Sequence, residues 1–172
     1  MWQQGAKYGQ VGVSLLEFAV AATVLGVLAV TFLGRLLYAE EYAEKTAMEL
    51  NIANMRAGLR AQVGALLIAD RASEITALAG GNPTLWLNAQ PENYMGEYRG
   101  QPAENTRGAW YFDTVRRELV YTANSQRHFV PSPTQGHTVR LKIVPIAHTG
   151  SPLSPREPGW VELAIVNDYR WF

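Results

Sequence analysis

The longest uninterrupted pattern in the chain is an apolar run near its start. From Phe18 to Gly34 there are 17 residues without a charge; counting from Val13 there are 22, with Glu17 as the only charge. At about 1.5 Å per residue, 22 helical residues reach roughly 33 Å, enough to cross the hydrocarbon core of a bilayer. A different pattern follows. Residues 35–79 are rich in the helix formers Ala, Leu, Glu, Arg and Met. Ile52, Met55, Leu59, Val63 and Leu67 recur every three or four positions as one apolar stripe. One long helix is predicted from about Ser14 to Gln62, with Gly58 and Gly64 as places where it can bend. Leu66 to Leu78 reads as its continuation or as a short second helix, and Gly80-Gly81-Asn82-Pro83 as the stop.

Beyond that stop the helical period is lost. Thr84 to Arg107 is rich in Gly, Pro, Asn and Gln and reads as a long connection with room for one short helix. Ala109-Trp110-Tyr111-Phe112 and Glu118-Leu119-Val120-Tyr121-Thr122 are aromatic and β-branched runs on either side of Asp113-Thr114-Val115-Arg116-Arg117, a hairpin pattern. In 138–146, Val139, Leu141 and Ile143 alternate with Arg140, Lys142 and Val144. In 159–166, Val161, Leu163 and Ile165 alternate with Trp160, Glu162, Ala164 and Val166. Pro131-Ser132-Pro133 and Ser151 to Pro158 read as turns, and the tail from Asn167 to Phe172 as an extension of the last strand or a segment packed back on the head. The predicted fold class is α+β: a long N-terminal helix, membrane-spanning in its first half, packed on a small antiparallel sheet of about four strands.

Composition sharpens this picture. The chain has 172 residues, and all nine prolines fall between Pro83 and Pro158, so proline itself separates the helical half from the sheet half. About 138 residues remain beyond the first 34, enough for one compact domain. Formal net charge is zero, which argues against a strongly electrostatic nucleic-acid binder, and no nucleic-acid partner is expected. There is no cysteine, so disulfides, thiol chemistry and zinc–thiolate sites are excluded. The apolar run is longer than the core of a secretory signal, contains Glu17, and ends in Gly34-Arg35 without a small-residue cleavage site, so it reads as retained. Lys7 lies before it, while Glu40, Glu41 and Glu44 outweigh Arg35 and Lys45 after it. That bias favours an N-in, C-out orientation.

Glu17 is the chemical oddity. A carboxylate in a spanning helix costs on the order of 3 kcal/mol, and such a residue marks function by default. Two readings stand: Glu17 is solvated at headgroup level, or it seeks a positive partner that the helix itself does not supply.

The stretch Gly12-Val13-Ser14-Leu15-Leu16-Glu17-Phe18, followed by the apolar run, resembles the class III signal of type IV pilins and of type II secretion pseudopilins. The resemblance covers residues 6–40 and is architectural beyond them. It implies a leader over 1–12 cut after Gly12 by a prepilin peptidase, and N-methylation at Val13. It also implies an assembly role for Glu17 at the fifth mature position, paired with the amine of a neighbouring subunit. The chain departs from the common pattern in having Val first and Gly34 where many pilins carry a proline. The implied organisation is an assembly helix over 13–34, its amphipathic continuation over 35–79, a connection over 80–108 and a sheet over 109–172. The implied partners are the peptidase, other pilin or pseudopilin subunits, an inner-membrane assembly platform and membrane lipid. The implied location is the bacterial inner membrane, single-pass with a periplasmic head, and then a fibre. The hairpin Gly-Ala-Trp-Tyr-Phe-Asp…Glu-Leu-Val-Tyr is similar to one in pilin-like proteins of mannose-sensitive haemagglutinin pilus systems.

Other chemistry is sparse. His128, His137 and His148 are spaced 9 and 11 apart, which fits no metal-ligand pattern on one element. Glu157, Glu162 and Asp168 do not make the oxygen-rich loop that calcium needs. No cofactor, metal or catalytic residue is expected. Trp86, Tyr94, Tyr98, Trp110, Tyr111, Trp160, Trp171 and Phe172 would serve either as sheet core and subunit interface or as a stacking surface for a sugar or DNA ligand. Arg116-Arg117 reads as a solvated turn or a partner salt bridge, and Ala22 with Gly26 is a weak small-residue pair. The expected function is structural, a minor pilin or pilin-like fibre subunit and not an enzyme. The alternatives are a secretion pseudopilin and a signal-anchored periplasmic binding module.

Overall fold

The computed structural model describes residues 14–131, 136–146 and 159–172. It is α+β: one long N-terminal helix, α1 (Leu15–Ile68), packed on a mixed sheet of five strands, with a second sheet of two. By its internal contacts the chain divides into Met1–Glu41 and Tyr42–Phe172.

In the first unit, every residue from Ser14 to Leu36 is exposed. The hydroxyls within the run are satisfied locally. Thr23 Oγ1 donates to the Ala19 carbonyl at 2.8 Å, and Thr31 Oγ1 to those of Val27 and Leu28 at 3.1 and 2.9 Å. This back-bonding leaves no polar group of these side chains seeking water. The segment is long and apolar enough to cross a membrane.

In the second unit, α1 presents Met48, Ile52, Met55, Leu59, Val63 and Leu66 to the core. The predicted stripe holds at its first four positions. At the fifth, Leu66 is buried and Leu67 is exposed, because both the third and the fourth residue after Val63 fall near the core side and only one can lie in it. The helix continues past Gln62 and ends in a Schellman arrangement. Asp70 takes a left-handed φ of 58°, Arg71 N donates to the Leu66 carbonyl at 2.8 Å, and Asp70 N to that of Leu67 at 3.2 Å. The helix therefore stops well before the Gly80-Gly81 signal. The short second helix expected up to Leu78 is a 3₁₀ segment, Ala72–Leu78, which buries Ile75.

A second 3₁₀ segment, Pro83–Trp86, lies in the predicted connection and is capped by Asn82, whose Oδ1 accepts Thr84 N at 3.1 Å. It comes so close to α1 that a Cβ on Gly58 would sit 2.7 Å from the Trp86 carbonyl oxygen. Gly58 thus permits close approach of two backbones.

The strands are β1 (Tyr94–Tyr98), β2 (Ala109–Asp113), β3 (Glu118–Thr122), β4 (Phe129–Val130), β5 (Thr138–Ile146), β6 (Trp160–Ile165) and β7 (Arg170–Trp171). The large sheet runs β1-β2-β3-β5-β6. Its β2, β3, β5 and β6 are the four antiparallel strands expected. Strand β1 is additional: it pairs parallel to β2, within the stretch read as connection, and its register breaks between Tyr94 and Glu97. Trp110, Phe112, Leu119, Tyr121, Val139, Leu141, Ile143, Val161 and Leu163 face the core, as strand alternation requires.

The β2–β3 hairpin forms as predicted. Asp113 Oδ1 accepts Val115 N at 2.9 Å and Arg116 N at 3.2 Å, and Arg117 closes the turn at φ 56°. The tail packs back rather than extending β6. Asn167 Oδ1 accepts Arg140 N at 2.7 Å and its Nδ2 donates to the Thr138 carbonyl at 2.8 Å, which ends the ladder. Phe129 and Trp171 then pair across the small sheet. The Pro133 and Ser151–Pro158 turns lie outside the described residues.

Candidate functional site

Glu17 stands at the third position of α1, in its first turn. Ser14 precedes the helix, and the two residues cap it reciprocally. Ser14 N donates to Glu17 Oε2 at 2.9 Å, and Glu17 N donates to Ser14 Oγ at 3.2 Å. This is a capping box, in which two otherwise orphaned backbone donors are satisfied at once. Among the described residues the helix brings no positive side chain to Glu17; what it supplies is the Ser14 backbone donor. The helix N-terminus adds favourable partial positive charge. The sequence signal, Ser-x-x-Glu ahead of an apolar run, is explicit in Ser14-Leu15-Leu16-Glu17. Both groups remain exposed, so the carboxylate keeps acceptor capacity for a second partner. Gly12 and Val13, with the leader, lie outside the described residues.

Among the described residues, the surface following Glu17 as far as Leu33 is apolar apart from Thr23 and Thr31. Leu15, Leu16, Phe18, Val20, Val24 and Leu25 are exposed, and the same holds through Leu33. Such a patch far exceeds what a soluble monomer leaves uncovered. Gly26 and Gly34 sit in this helix with open space where a Cβ would be.

The second half of α1, within the second unit, carries a stripe that the sequence reading passed over. Ala43, Ala47, Leu50, Asn54, Ala57, Ala61, Ala65 and Ile68 follow one another at spacings of three and four, and all are exposed. None is charged. The charged residues of this half, Glu44, Lys45, Glu49, Arg56 and Arg60, fall on the flanks of the buried stripe instead. An ordinary surface helix shows the opposite arrangement, with charge on the face away from the core.

The flanking charges tie the helix to the head. Glu44 Oε1 accepts the Tyr121 hydroxyl at 2.8 Å and Asn124 N at 2.6 Å, while Oε2 accepts Ser125 N at 3.1 Å. Lys45 Nζ donates to the Trp171 carbonyl at 3.0 Å and lies over the Phe172 ring at 5.7 Å. Arg56 Nε donates to the Leu163 carbonyl on edge strand β6 at 3.2 Å. Burial raises the pKa of the Tyr121 phenol well above its ordinary value, and the hydrogen bond to Glu44 adds to the rise. Burial likewise raises Tyr111 and Tyr169.

The aromatic residues divide. Trp110 and Trp171 are core, and Tyr111 is buried with Tyr98 edge-on to it at 6.3 Å. The Tyr94 hydroxyl accepts from Asn82 Nδ2 at 2.8 Å, and Trp86 packs against the core. Trp160 and Phe172 are exposed and lie on different elements, so the set forms no continuous stacking platform. His128 stacks on Phe172 and His137 lies beside Phe129; His148 lies outside the described residues. Arg116 and Arg117 occupy the hairpin turn, where the Arg117 stem packs over Gly80.

No protein-family model, no curated protein and no solved structure matches the chain significantly.

Proposed function

We propose that this chain is a structural subunit of a type IV pilus-type fibre, a minor pilin or pilin-like protein. In this reading it is held in the inner membrane by the first part of α1, cut after Gly12 by a prepilin peptidase, methylated at Val13, and assembled with other subunits on a membrane platform. The observation that carries the reading is Glu17: one carboxylate in the first turn of α1, whose first part, through Gly34, is otherwise uncharged, apolar and exposed. In lipid that carboxylate is costly while alone and favourable once a neighbour's amine reaches it. Pairing therefore rewards assembly and fixes register. A second support is the uncharged outward face of the aqueous half of α1, which a mere tether has no need of. In this reading the role is structural, and Glu44, Lys45 and Arg56 tie the helix to the head that such a subunit presents.

The test is the mass of the mature chain from native membranes together with Glu17→Ala. A methylated Val13 start, and a variant that inserts normally but forms no fibre, are expected. A chain that keeps Met1, or a Glu17→Ala variant that assembles normally, would overturn the reading in favour of a signal-anchored domain.

A further inference from the structure

The small sheet of β4 and β7 has two unlike faces. Phe129 and Trp171 pair with each other and point into the core. Strand alternation therefore turns their neighbours outward. Val130 pairs with Arg170, and Phe172 N donates to the His128 carbonyl at 3.2 Å. His128, Val130, Arg170 and Phe172 are all exposed, Val130 by 48%. Helix α1 extends this face, for the Tyr42 ring is 55% exposed and lies 6.0 Å from that of Phe172. Arg127, next to it in sequence, is exposed as well. The side chains of the face include no acid. Among the described residues, neither Arg127 nor Arg170 forms an ion pair.

Aromatic rings interleaved with arginine are the side chains that settle at a bilayer surface. The rings take the headgroup level, and the cations meet lipid phosphates. The place of the face in the chain points the same way. Tyr42 follows Gly34, the last residue of the uncharged run, by eight positions. At the helical rise, eight residues advance about 12 Å. Headgroups occupy roughly the first 5–7 Å beyond the hydrocarbon core. The few ångströms left over fall inside the Debye length of about 8 Å at physiological salt. Resting on the reading that the first part of α1 spans a membrane, we infer that the outward face of the small sheet docks on the surface of that same bilayer. Arg127 and Arg170 take anionic lipid headgroups, and Tyr42 and Phe172 lie at headgroup level.

Charge and tethering identify the occupant. A guanidinium is a planar fork of donors, and the oxygens of a lipid phosphate accept from it in pairs. Two short strands and one flanking ring make a contact too small to hold a free partner in solution. The span removes that difficulty, because it keeps the face within reach of its lipid at all times and a weak attraction suffices. Docking lasts only while the subunit stays in the bilayer, so lipid charge becomes a control on how readily the head is released to other partners.

The chain has no cysteine, so a nitroxide can be placed at a single position. Full-length Val130→Cys is spin-labelled and reconstituted in vesicles of phosphatidylcholine mixed with phosphatidylglycerol, or of phosphatidylcholine alone. Val115→Cys, in the β2–β3 turn and 64% exposed, is the reference. In the anionic vesicles the label at 130 should be relaxed more by lipid-soluble oxygen than by an aqueous nickel chelate, and the label at 115 the reverse. In phosphatidylcholine alone the label at 130 should become wet. It should also become wet in anionic vesicles when Arg127→Glu and Arg170→Glu are combined. Salt at about 1 M, where the Debye length is about 3 Å, should do the same without any change to the two arginines. A label at 130 as wet as that at 115 in anionic vesicles overturns the inference. Lipid contact that ignores headgroup charge, or survives both the double reversal and high salt, overturns it equally. A label wet in vesicles but covered in fibres would assign the face to a neighbouring subunit, with the same result. If alkaline carbonate strips the unlabelled chain from the vesicles, the spanning reading falls and this inference with it.

Discussion

The Tyr121 hydroxyl on strand β3 donates to Glu44 Oε1 on helix α1 at 2.8 Å, across 77 positions of sequence. The same carboxylate receives Asn124 N and Ser125 N, so one side chain pins the helix to the end of β3 and to the loop beyond. Charge-assisted bonds to backbone donors are the stronger kind. Glu44→Ala leaves those donors without partners and is expected to cost about 1–3 kcal/mol in denaturant unfolding of the head. Glu44→Gln, which retains acceptor capacity, should cost less.

Tyr121 also sets a pH dependence. Its phenol holds its proton more tightly in the folded protein than in the unfolded chain, chiefly through burial. The stabilisation is therefore fully present below the unfolded value of about 10 and declines as pH rises above it. Tyr111 and Tyr169 shift in the same direction. Stability measured from pH 8 upward should be flat at first and then fall above about pH 10. Tyr121→Phe should make the fall shallower by about one proton; an unchanged slope would contradict this account.

The two glycines in the second half of α1 should respond in opposite senses. A Cβ on Gly58 meets a backbone oxygen at 2.7 Å, whereas one on Gly64 meets nothing within 4 Å. Gly58→Ala gains about 1 kcal/mol of helix propensity but forces a backbone apart, and overpacking of that kind costs about 1–3 kcal/mol. A lower melting temperature is expected. Gly64→Ala should raise it, by up to about 1 kcal/mol of stability.

Removing the Ser14 hydroxyl opens the start of α1. Ser14→Ala is expected to cost about 1 kcal/mol at the helix end. Faster hydrogen exchange at the Glu17 amide, with the head unaffected, is the measurement that reports it. Protection equal to that of the unmodified chain would show that the serine side chain does not hold the first turn.

Truncating Trp171 tests the tail. Its ring is buried and meets Phe129 edge-on at 5.1 Å. Trp171→Ala should cost about 3–5 kcal/mol, the range for large aromatic residues in cores, and should detach β7 from β4. Calorimetry of the head would read both.

The residues that declared themselves in the sequence did so through local periodicity. Ile52, Met55, Leu59 and Val63 share one helix face, and Val139, Leu141 and Ile143 one strand face, because neighbours in sequence determine those faces. Strand β1 escaped notice: its Tyr94-Met95-Gly96-Glu97-Tyr98 has a glycine at its centre and no alternation, and it is held by a parallel, nonlocal pairing with β2. Strand β7 is two residues long and exists only through its partner. Glu17 stood out as an isolated charge, yet its tie to Ser14 was equally local and was written in the capping pattern. Glu44 gave no such sign, since its partners lie 77 to 81 residues away. The helix end at Asp70 was obscured because its Schellman turn uses an aspartate where glycine is usual.

The bare apolar helix also limits how the chain can travel. Eleven large apolar side chains between Leu15 and Leu33 stand uncovered. At about 2 kcal/mol each, leaving them in water costs on the order of 20 kcal/mol. At that cost, escape into the aqueous phase is too rare to matter on any cellular timescale. On the proposed function, the reservoir from which subunits are drawn is then a two-dimensional gas confined to the bilayer. Its supply is set by lateral diffusion and lipid area rather than by the volume of the compartment, and any departure from that plane must pass the helix directly from lipid to protein without a wet interval.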